Sequence, residues 1–542
     1  MKPDRNRPRP IAEQDIWKAL CGVNDSLQIN FSLPPRDQLV TLPDQQDTTF
    51  TATRAGGEAP LSHRVRDAVF WRSGSQIVAQ AVMWISTIVV VRLLDPHDYG
   101  LFAMTQVVLV LFNFLNGYSF ASSLIQDNTI SRERIAQVFG LLIVLNGGLA
   151  TIQFLTAPLA ADYFNQPDIV PLLRAQCLLY LFTPVVALTG ALLARGLEFR
   201  KQAISNFAGA LAGAITALAC AYGGLGVWTL IAAPLALLAV RAVGLGIATG
   251  GVPMPSFRFT ELSGVLGFGG ALLAAQFFWI IQSQADIVIA GRSLNPHDLG
   301  LYAEALFLTL IFTAKFIPPL NEVAFPAYVQ LAREGGSVAG AFLTSARLTM
   351  LVALPLYVGM ALVAAPLVAT LFGTKWLPMA PLVAGLAPAI PFLALQIICS
   401  PATNALGKPG IYVRTSAAGA GIMALFFIIG SQWGTRGLVY AWQAGTPLLL
   451  AVTLAVTLPV IRCRMIDLLR ALLPGLVAAG MMALALLAAR PFAQSLPAAA
   501  ELGILVALGA AVYCGLLWRF SPATVGELHM LLVRRRIPGP AS

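Results

Sequence analysis

The stretch Leu94-Asp95-Pro96-His97-Asp98-Tyr99-Gly100-Leu101 returns two hundred residues later as Leu294-Asn295-Pro296-His297-Asp298-Leu299-Gly300-Leu301. In both copies Asp or Asn is suited to cap a helix N-terminus, and Pro96 or Pro296 fits the first helical position, where the missing N–H costs nothing. Asp98 or Asp298 falls at the third position, where a carboxylate meets exposed amides and the positive end of the helix dipole. Each copy therefore ends one apolar run and begins the next. His97 and His297 read as solvated turn residues rather than metal ligands.

The surroundings of the two turns set the class. Of the 542 residues, 57% are hydrophobic and 11% charged, and the mean hydropathy is +0.75. That is more apolar side chain than a soluble core can hide, so the chain belongs in a bilayer. From about residue 72 onward, windows of roughly 20 apolar residues follow one another, each long enough to cross a hydrocarbon core. About fourteen such windows occur; 73–94 and 100–125 flank the first turn, 264–291 and 300–325 the second. Lipid offers backbone groups no water, so the spans must be helices and the fold class is all-α: a polytopic membrane protein of about 14 transmembrane helices.

Six windows separate the two turns, so both fall on the same membrane face and the repeat is parallel, about an axis along the membrane normal. Two pseudo-symmetric six-helix lobes follow, 63–260 and 261–462, with two further helices in 463–520. Residues 1–62, polar and rich in Pro, Asp, Gln and Thr, read as a disordered cytoplasmic tail, and 521–542 as a basic cytoplasmic tail. Placing the N-terminus inside puts twenty Lys and Arg on cytoplasmic flanks and six on the opposite side, which favours both termini in the cytoplasm. The six scattered Cys form neither a disulfide framework nor a CxxC metal site. The formal net charge of +10 reads as membrane-flanking cations, because no basic stripe interleaved with aromatics points to nucleic acid.

Polar residues inside the apolar windows mark a candidate site. In span 8, Glu304, Lys315 and Glu322 lie 11 and 7 residues apart, close to whole helical turns, so they share one face with Lys315 near the midplane. An isolated charge there costs about 3 kcal/mol or more, so this face should meet a polar cavity or a partner charge. Span 7 carries Gln276, Trp279, Ser283 and Asp286; span 1 Arg72, Gln76, Gln80 and Thr87; span 2 Thr105, Asn113 and Asn116. These four helices flank the two turns, and together they could enclose a wet passage for a polar or anionic substrate. Interhelical hydrogen bonding is the alternative for the Gln and Asn positions, and an Asp286–Lys315 or Glu322–Lys315 ion pair for the lysine. Pro318-Pro319 suits a helix that bends, or one with a fixed kink.

The segments VRLLDPHDYGLFA (91–103), DIVIAGRSLNPHDLGLYAEA (286–305) and EVAFPAY (322–328) resemble the oligosaccharide flippases of the multidrug/oligosaccharidyl-lipid/polysaccharide exporter superfamily. The likeness is greatest to the branch exporting lipid-linked repeat units for colanic acid and related exopolysaccharides, and it covers roughly residues 64–520. It implies two lobes rocking around a central cationic cavity lined by spans 1, 2, 7 and 8. The implied cargo is an oligosaccharide on undecaprenyl diphosphate, moved to the periplasmic leaflet of a bacterial inner membrane for exopolysaccharide or lipopolysaccharide biosynthesis. Arg92, Asp286 and Arg292 fall at shared motif positions. In this reading cations take the diphosphate, while Gln76, Gln80, Asn113 and Gln276 meet sugar hydroxyls. Arg92 and Arg292 could equally cap helix ends and snorkel. The polar stretch before residue 63 departs from the family's short N-terminus.

Membrane lipids and a lipid-linked oligosaccharide are the expected partners, with a polysaccharide polymerase and export machinery as further candidates; no cofactor and no metal are expected. A cation-coupled multidrug antiporter of the same superfamily is the nearest alternative. A membrane-embedded polymerase or ligase would need acidic catalytic residues, and the outward loops hold no paired carboxylates. A GxxxxGK[ST] phosphate loop is absent too, so the chain reads as a transporter and not an enzyme.

Overall fold

The computed structural model describes residues 78–117, 120–121, 124, 131–196, 198–258 and 270–520. Arg72, Gln76 and both tails lie outside them. Among the described residues a short helix, Ala364–Leu371, joins longer helical stretches that overlap the apolar windows. The longer stretches are α1 Val78–Leu93, α2 Pro96–Asn113, α3 Arg132–Phe164, α4 Ile169–Arg195, α5 Phe199–Tyr222, α6 Trp228–Ala248 and α7 Gly270–Ser293. Then follow α8 Pro296–Arg333, α9 Val338–Leu362, α10 Thr374–Ala405, α11 Pro409–Gly430, α12 Gly434–Ile461, α13 Met465–Ala493 and α14 Ala498–Phe520. No strand occurs among the described residues. The chain is an all-helical multi-pass membrane protein.

By length and hydropathy, 10 of these stretches suffice to cross a membrane, Pro409–Ile461 counting once although it folds as α11 and α12. The shortfall from fourteen falls on α1, α2 and α7, three of the four helices with polar stripes. The polar residues of α2 lower its mean hydropathy, and α1, apolar but described only from Val78, is short.

The described chain packs as two compact units: residues 78–258 with Ile287–Ala303, and Ala271–Asp286 with residues 304–520. The first holds both copies of the repeated turn. Asp95 N–H donates to Asp98 Oδ2 at 3.2 Å, and in the second copy Asp298 N–H donates to Asn295 Oδ1 at 2.8 Å. The Asn295 amide adds a bond to Asp298 Oδ2 at 3.0 Å. Both turns therefore cap helices as their sequence dictates.

The two capped ends also pack on each other. A Cβ at Gly100 would run into the carbonyl of Pro296, and one at Gly300 into the carbonyl of Pro96, with Gly100 N only 2.9 Å from it. The contact is reciprocal, as a two-fold relation between the copies demands, and it needs glycine on both sides. The same device recurs nearby: Gly209 and Gly213 of α5, spaced as GxxxG, seat against the backbone of α6 at Leu237 and Ala233. Between lipid-immersed helices no hydrophobic force acts, so close backbone approach and dispersion must hold them. Around these contacts Val138, Leu142, Leu188 and Ala191 form one core cluster, and Val186, Leu193, Ala242 and Leu245 another.

In the second unit, Gly430 of α11 and Gly437 of α12 make another reciprocal backbone contact. The prolines at 378, 381, 388, 391 and 401 divide α10 into short α and 3₁₀ pieces, because each removes a backbone donor and clashes with the preceding turn. The two C-terminal helices dock on α9: the Tyr513 hydroxyl donates to Leu351 O at 2.8 Å, and Gly475 lies against Leu354. Replacing Gly100 or Gly300 by Ala should cost about 1–3 kcal/mol through forced separation, read as a lowered melting temperature of the purified protein. Gly147→Ala and Gly148→Ala in α3, where a Cβ meets nothing within 4 Å, should be neutral or slightly stabilising.

Candidate functional site

Span 8 of the sequence is the longest single helix of the protein's described part, the 38-residue α8. Lys315 lies at its middle. The helix continues through Pro318, Pro319 and Pro326, so the double proline does not end it. Those prolines have no N–H to offer the carbonyls of residues four earlier, which leaves Ala314, Lys315 and Glu322 without their regular helical donors. Two released carbonyls, of Ala314 and Lys315, thus lie beside the lysine and the third lies two turns further on, a feature the sequence holds in the proline spacing but which shows its chemistry only once the helix is seen to continue.

One face of α8 is buried in its unit, through Thr313, Ile317, Ala324, Ala327 and Tyr328. Thr313 Oγ1 and the Tyr357 hydroxyl share a hydrogen bond of 2.5 Å, and the Tyr328 hydroxyl donates to Ser345 Oγ at 2.8 Å. Lys315 and Glu322 stand on the exposed face with Phe316, Pro318 and Pro319, and Glu304 is half-buried. Among the described residues, Glu304, Lys315 and Glu322 have neither an ion-pair nor a hydrogen-bond partner. The ion pairs Asp286–Lys315 and Glu322–Lys315 considered for the sequence are therefore not formed.

The other candidate residues fall into distinct settings. On α7, Gln276 is half-buried and Asp286 is 1% exposed, with Ser283 turned back onto the Ile280 carbonyl at 3.1 Å. In the first unit Gln80 is half-buried on α1, and Asn113 is exposed at the last residue of α2. The Asn116 carbonyl accepts from Asn146 Nδ2 at 2.9 Å. Arg92 and Arg292 are both exposed at helix ends beside the glycine contact. The Arg292 guanidinium lies 5.1 Å from the centroid of the Tyr163 ring, whose hydroxyl donates to Val288 O.

Thr105, part of the polar stripe read on span 2, does not line a cavity. It is fully buried, donates to Phe102 O at 2.8 Å and accepts from Gln176 Nε2 at 3.0 Å. Next to it, Gln153 Nε2 reaches Leu173 O at 2.8 Å while the Tyr180 hydroxyl donates to Gln153 Oε1 at 2.9 Å. This network ties α2, α3 and α4 together and is structural glue. Asn146 and Gln153, one face of α3 at a spacing of seven, were the sequence signal for it.

A second polar set lies inside the second unit and was missed. Trp279, Gln396, Ser400, Thr403, Thr415 and Thr457 line a small recess of about 40 Å³, room for a few waters. Its signal was Thr446, Thr453 and Thr457, spaced 7 and 4 on α12. No group of His, Cys, Asp and Glu among the described residues could hold a metal ion.

The sequence profile described as "Polysaccharide biosynthesis protein" matches residues 89–381, more than half of the chain, and the chain belongs to that family. It is 24% identical to the lipopolysaccharide biosynthesis protein WzxC of Escherichia coli (strain K12) over 308 residues, 56% of this chain and 63% of that one. Identity to the succinoglycan biosynthesis transport protein ExoT of Rhizobium meliloti (strain 1021) is also 24%, covering 57% and 62% of the two. The match therefore spans a little under two thirds of these relatives' length. Among solved structures, lipid II flippase MurJ in an inward closed conformation is similar in fold, with a TM-score of 0.65 at 12% identity, covering 86% of this chain and 100% of that one. An inward-facing multidrug resistance MATE family transporter of the MOP superfamily reaches 0.51 at 14% identity, covering 75% and 96%.

The satisfied and the unpartnered polar groups should respond differently to substitution. Gln153→Leu strands the Leu173 carbonyl and the Tyr180 hydroxyl, and should cost about 1–3 kcal/mol, seen in the thermal melt. Lys315→Gln should leave that melt unchanged.

Proposed function

We propose that the chain moves oligosaccharides linked to undecaprenyl diphosphate from the cytoplasmic to the periplasmic leaflet of a bacterial inner membrane. Both termini lie in the cytoplasm, and the lobes 63–260 and 261–462 are the bodies that alternate access. The observation that carries this reading is a lysine with no ion-pair partner among the described residues, halfway along a membrane helix of a polysaccharide biosynthesis family member. Nature keeps an intramembrane charge when it does work, and no partner charge among the described residues relieves this one. A diphosphate is the cargo group that would offset it, through charge-assisted hydrogen bonds.

The remaining groups supply what a glycan needs. The carbonyls released around Lys315, with Gln80, Gln276 and Asn113, accept from or donate to hydroxyls whose pattern differs between sugars. Gln76 and Asn116 complete the polar lining, and Glu304 and Glu322 keep the face hydrated and repel a second anion. Arg92, Asp286 and Arg292 belong to the repeat around the turn, and the two arginines take the diphosphate as it reaches the opposite end of the path. Such a cycle forms and breaks no covalent bond, so the chain acts as a transporter. Its products would pass to a polymerase and export machinery. The names of its relatives, a lipopolysaccharide biosynthesis protein and a succinoglycan transport protein, support this reading, as does the likeness in fold to a lipid II flippase.

Deleting the gene in its host should halt polymer output and leave a lipid-linked oligosaccharide on the cytoplasmic leaflet, identified by mass spectrometry of extracted lipids. Complementation with Lys315→Gln should fail by about ten-fold or more in polymer yield, the equivalent of about 1.4 kcal/mol or more in the rate-limiting step. Lys315→Arg should retain most of the output. Normal polymer output in the deletion strain, or full complementation by Lys315→Gln at equal membrane abundance, would refute the reading.

A further inference from the structure

On the first unit, away from every residue assigned to transport, an open groove of about 600 Å³ runs between α4 and α6. Leu181, Phe182 and Val185 form one wall; Val243, Gly246 and Ile247 form the other. Leu181, Val243 and Ile247 are 67%, 61% and 76% exposed, so the protein itself leaves this surface uncovered. The walls lie within membrane-spanning helices, where hydrocarbon and not water must fill the space.

The end of the groove is built differently. Helix α6 stops at Thr249, whose hydroxyl bonds back to Leu245 O at 3.1 Å, and the chain turns through Gly250 and Gly251 at φ of 78° and 118°. Only glycine takes those angles without strain, and a Cβ at either would meet nothing within 4 Å. The turn leads into an extended strap, 252–258, fixed to α3 by Ser256 N–H donating to Ala136 O at 2.9 Å and by Gly140 seated on Ser256 O. On that strap Met254 and Phe257 stand out, 89% and 57% exposed, followed by exposed Arg258. Lys201 Nζ reaches Ala248 O at 3.4 Å, one residue beyond the groove wall, and also pairs with Glu198. Arg200 and Arg132 are exposed and Arg134 is half-buried at the same end of the unit, against the two acids Glu133 and Glu198. Apolar side chains beside a surplus of cations, at the end of an apolar groove, describe a membrane interface.

We propose that this groove holds an anionic phospholipid of the surrounding bilayer, with one acyl chain between α4 and α6 and the phosphate-bearing headgroup at the Lys201–Arg258 rim. Hydrocarbon chemistry fits the walls and negative charge fits the rim, and no second protein element is needed to cover either. The site stands independently of the transport reading. It makes the protein's stability depend on the membrane's anionic lipid content.

The test uses the full chain purified in detergent, with its melting temperature and its retained lipid, by native mass spectrometry, followed during titration with phosphatidylglycerol or phosphatidylcholine. Phosphatidylglycerol should bind about ten-fold more tightly, since basic residues at a membrane surface attract an anionic headgroup. Val243→Trp, an exposed substitution that fills the groove, should weaken both lipids; Arg200→Gln/Lys201→Gln/Arg258→Gln should abolish the preference while leaving phosphatidylcholine binding in place. Should the triple variant not fold, raising the salt on the wild type must erode the preference instead. Equal affinity for the two lipids, or unchanged binding in Val243→Trp, overturns the proposal. So does displacement of phosphatidylglycerol by undecaprenyl diphosphate alone, which would give the groove to the cargo's tail.

Discussion

Two glycines set how closely the repeated turns meet. Gly100 and Gly300 each lie against the other copy's proline carbonyl, so the repeated turns meet backbone to backbone. A membrane gives helices no hydrophobic reason to associate, and close approach through small residues is the force that remains. Everything that flanks the turns inherits its position from this contact: the capped starts of α2 and α8, the preceding ends of α1 and α7, and the exposed Arg92 and Arg292. The recurrence of the octapeptide is thus more than two similar helix caps. It is one interface written twice.

Polar groups in the membrane divide by whether the protein satisfies them. Gln176 donates to Thr105 but leaves its Oε1 without a partner among the described residues, whereas Thr105, Gln153 and Tyr180, all buried, bond to other side chains or to carbonyls. A buried polar group so matched adds stability and fixes helix register, and it has nothing left to offer a ligand. Lys315, Glu304 and Glu322 are the opposite case, ionisable and without partners among the described residues. A folded protein tolerates that arrangement only where the groups meet water or cargo. The prolines of α8 extend the contrast by freeing carbonyls beside the lysine.

The helical class, the positions of the helices and the capping at both turns were legible in the sequence, because apolar length and cap residues are local signals. The shared exposed face of Lys315 and Glu322 on α8 was legible as well, since 7 residues are near two whole turns. What escaped was decided by neighbours distant in the chain. Thr105 reads as part of a polar stripe until Gln176 is seen beside it, 71 residues away. Gly100 and Gly300 read as ordinary helix glycines until the two turns are brought into contact. The threonine row of α12 reads as indifferent filler until Gln396 and Trp279 close over it. The broken course of α10, by contrast, was implicit in its prolines.

The contact of the two turns is the claim on which the rest stands, and proximity can be measured without reference to transport. His97 and His297, both exposed and each one residue past a contacting proline, can be replaced by Cys in a chain otherwise free of cysteine and treated in membranes with a short bis-maleimide. Cleavage between the two sites should then leave the fragments covalently joined. Fragments that separate, although each cysteine alone reacts readily with a mono-maleimide, would contradict the contact and with it the placement of every helix end that flanks it.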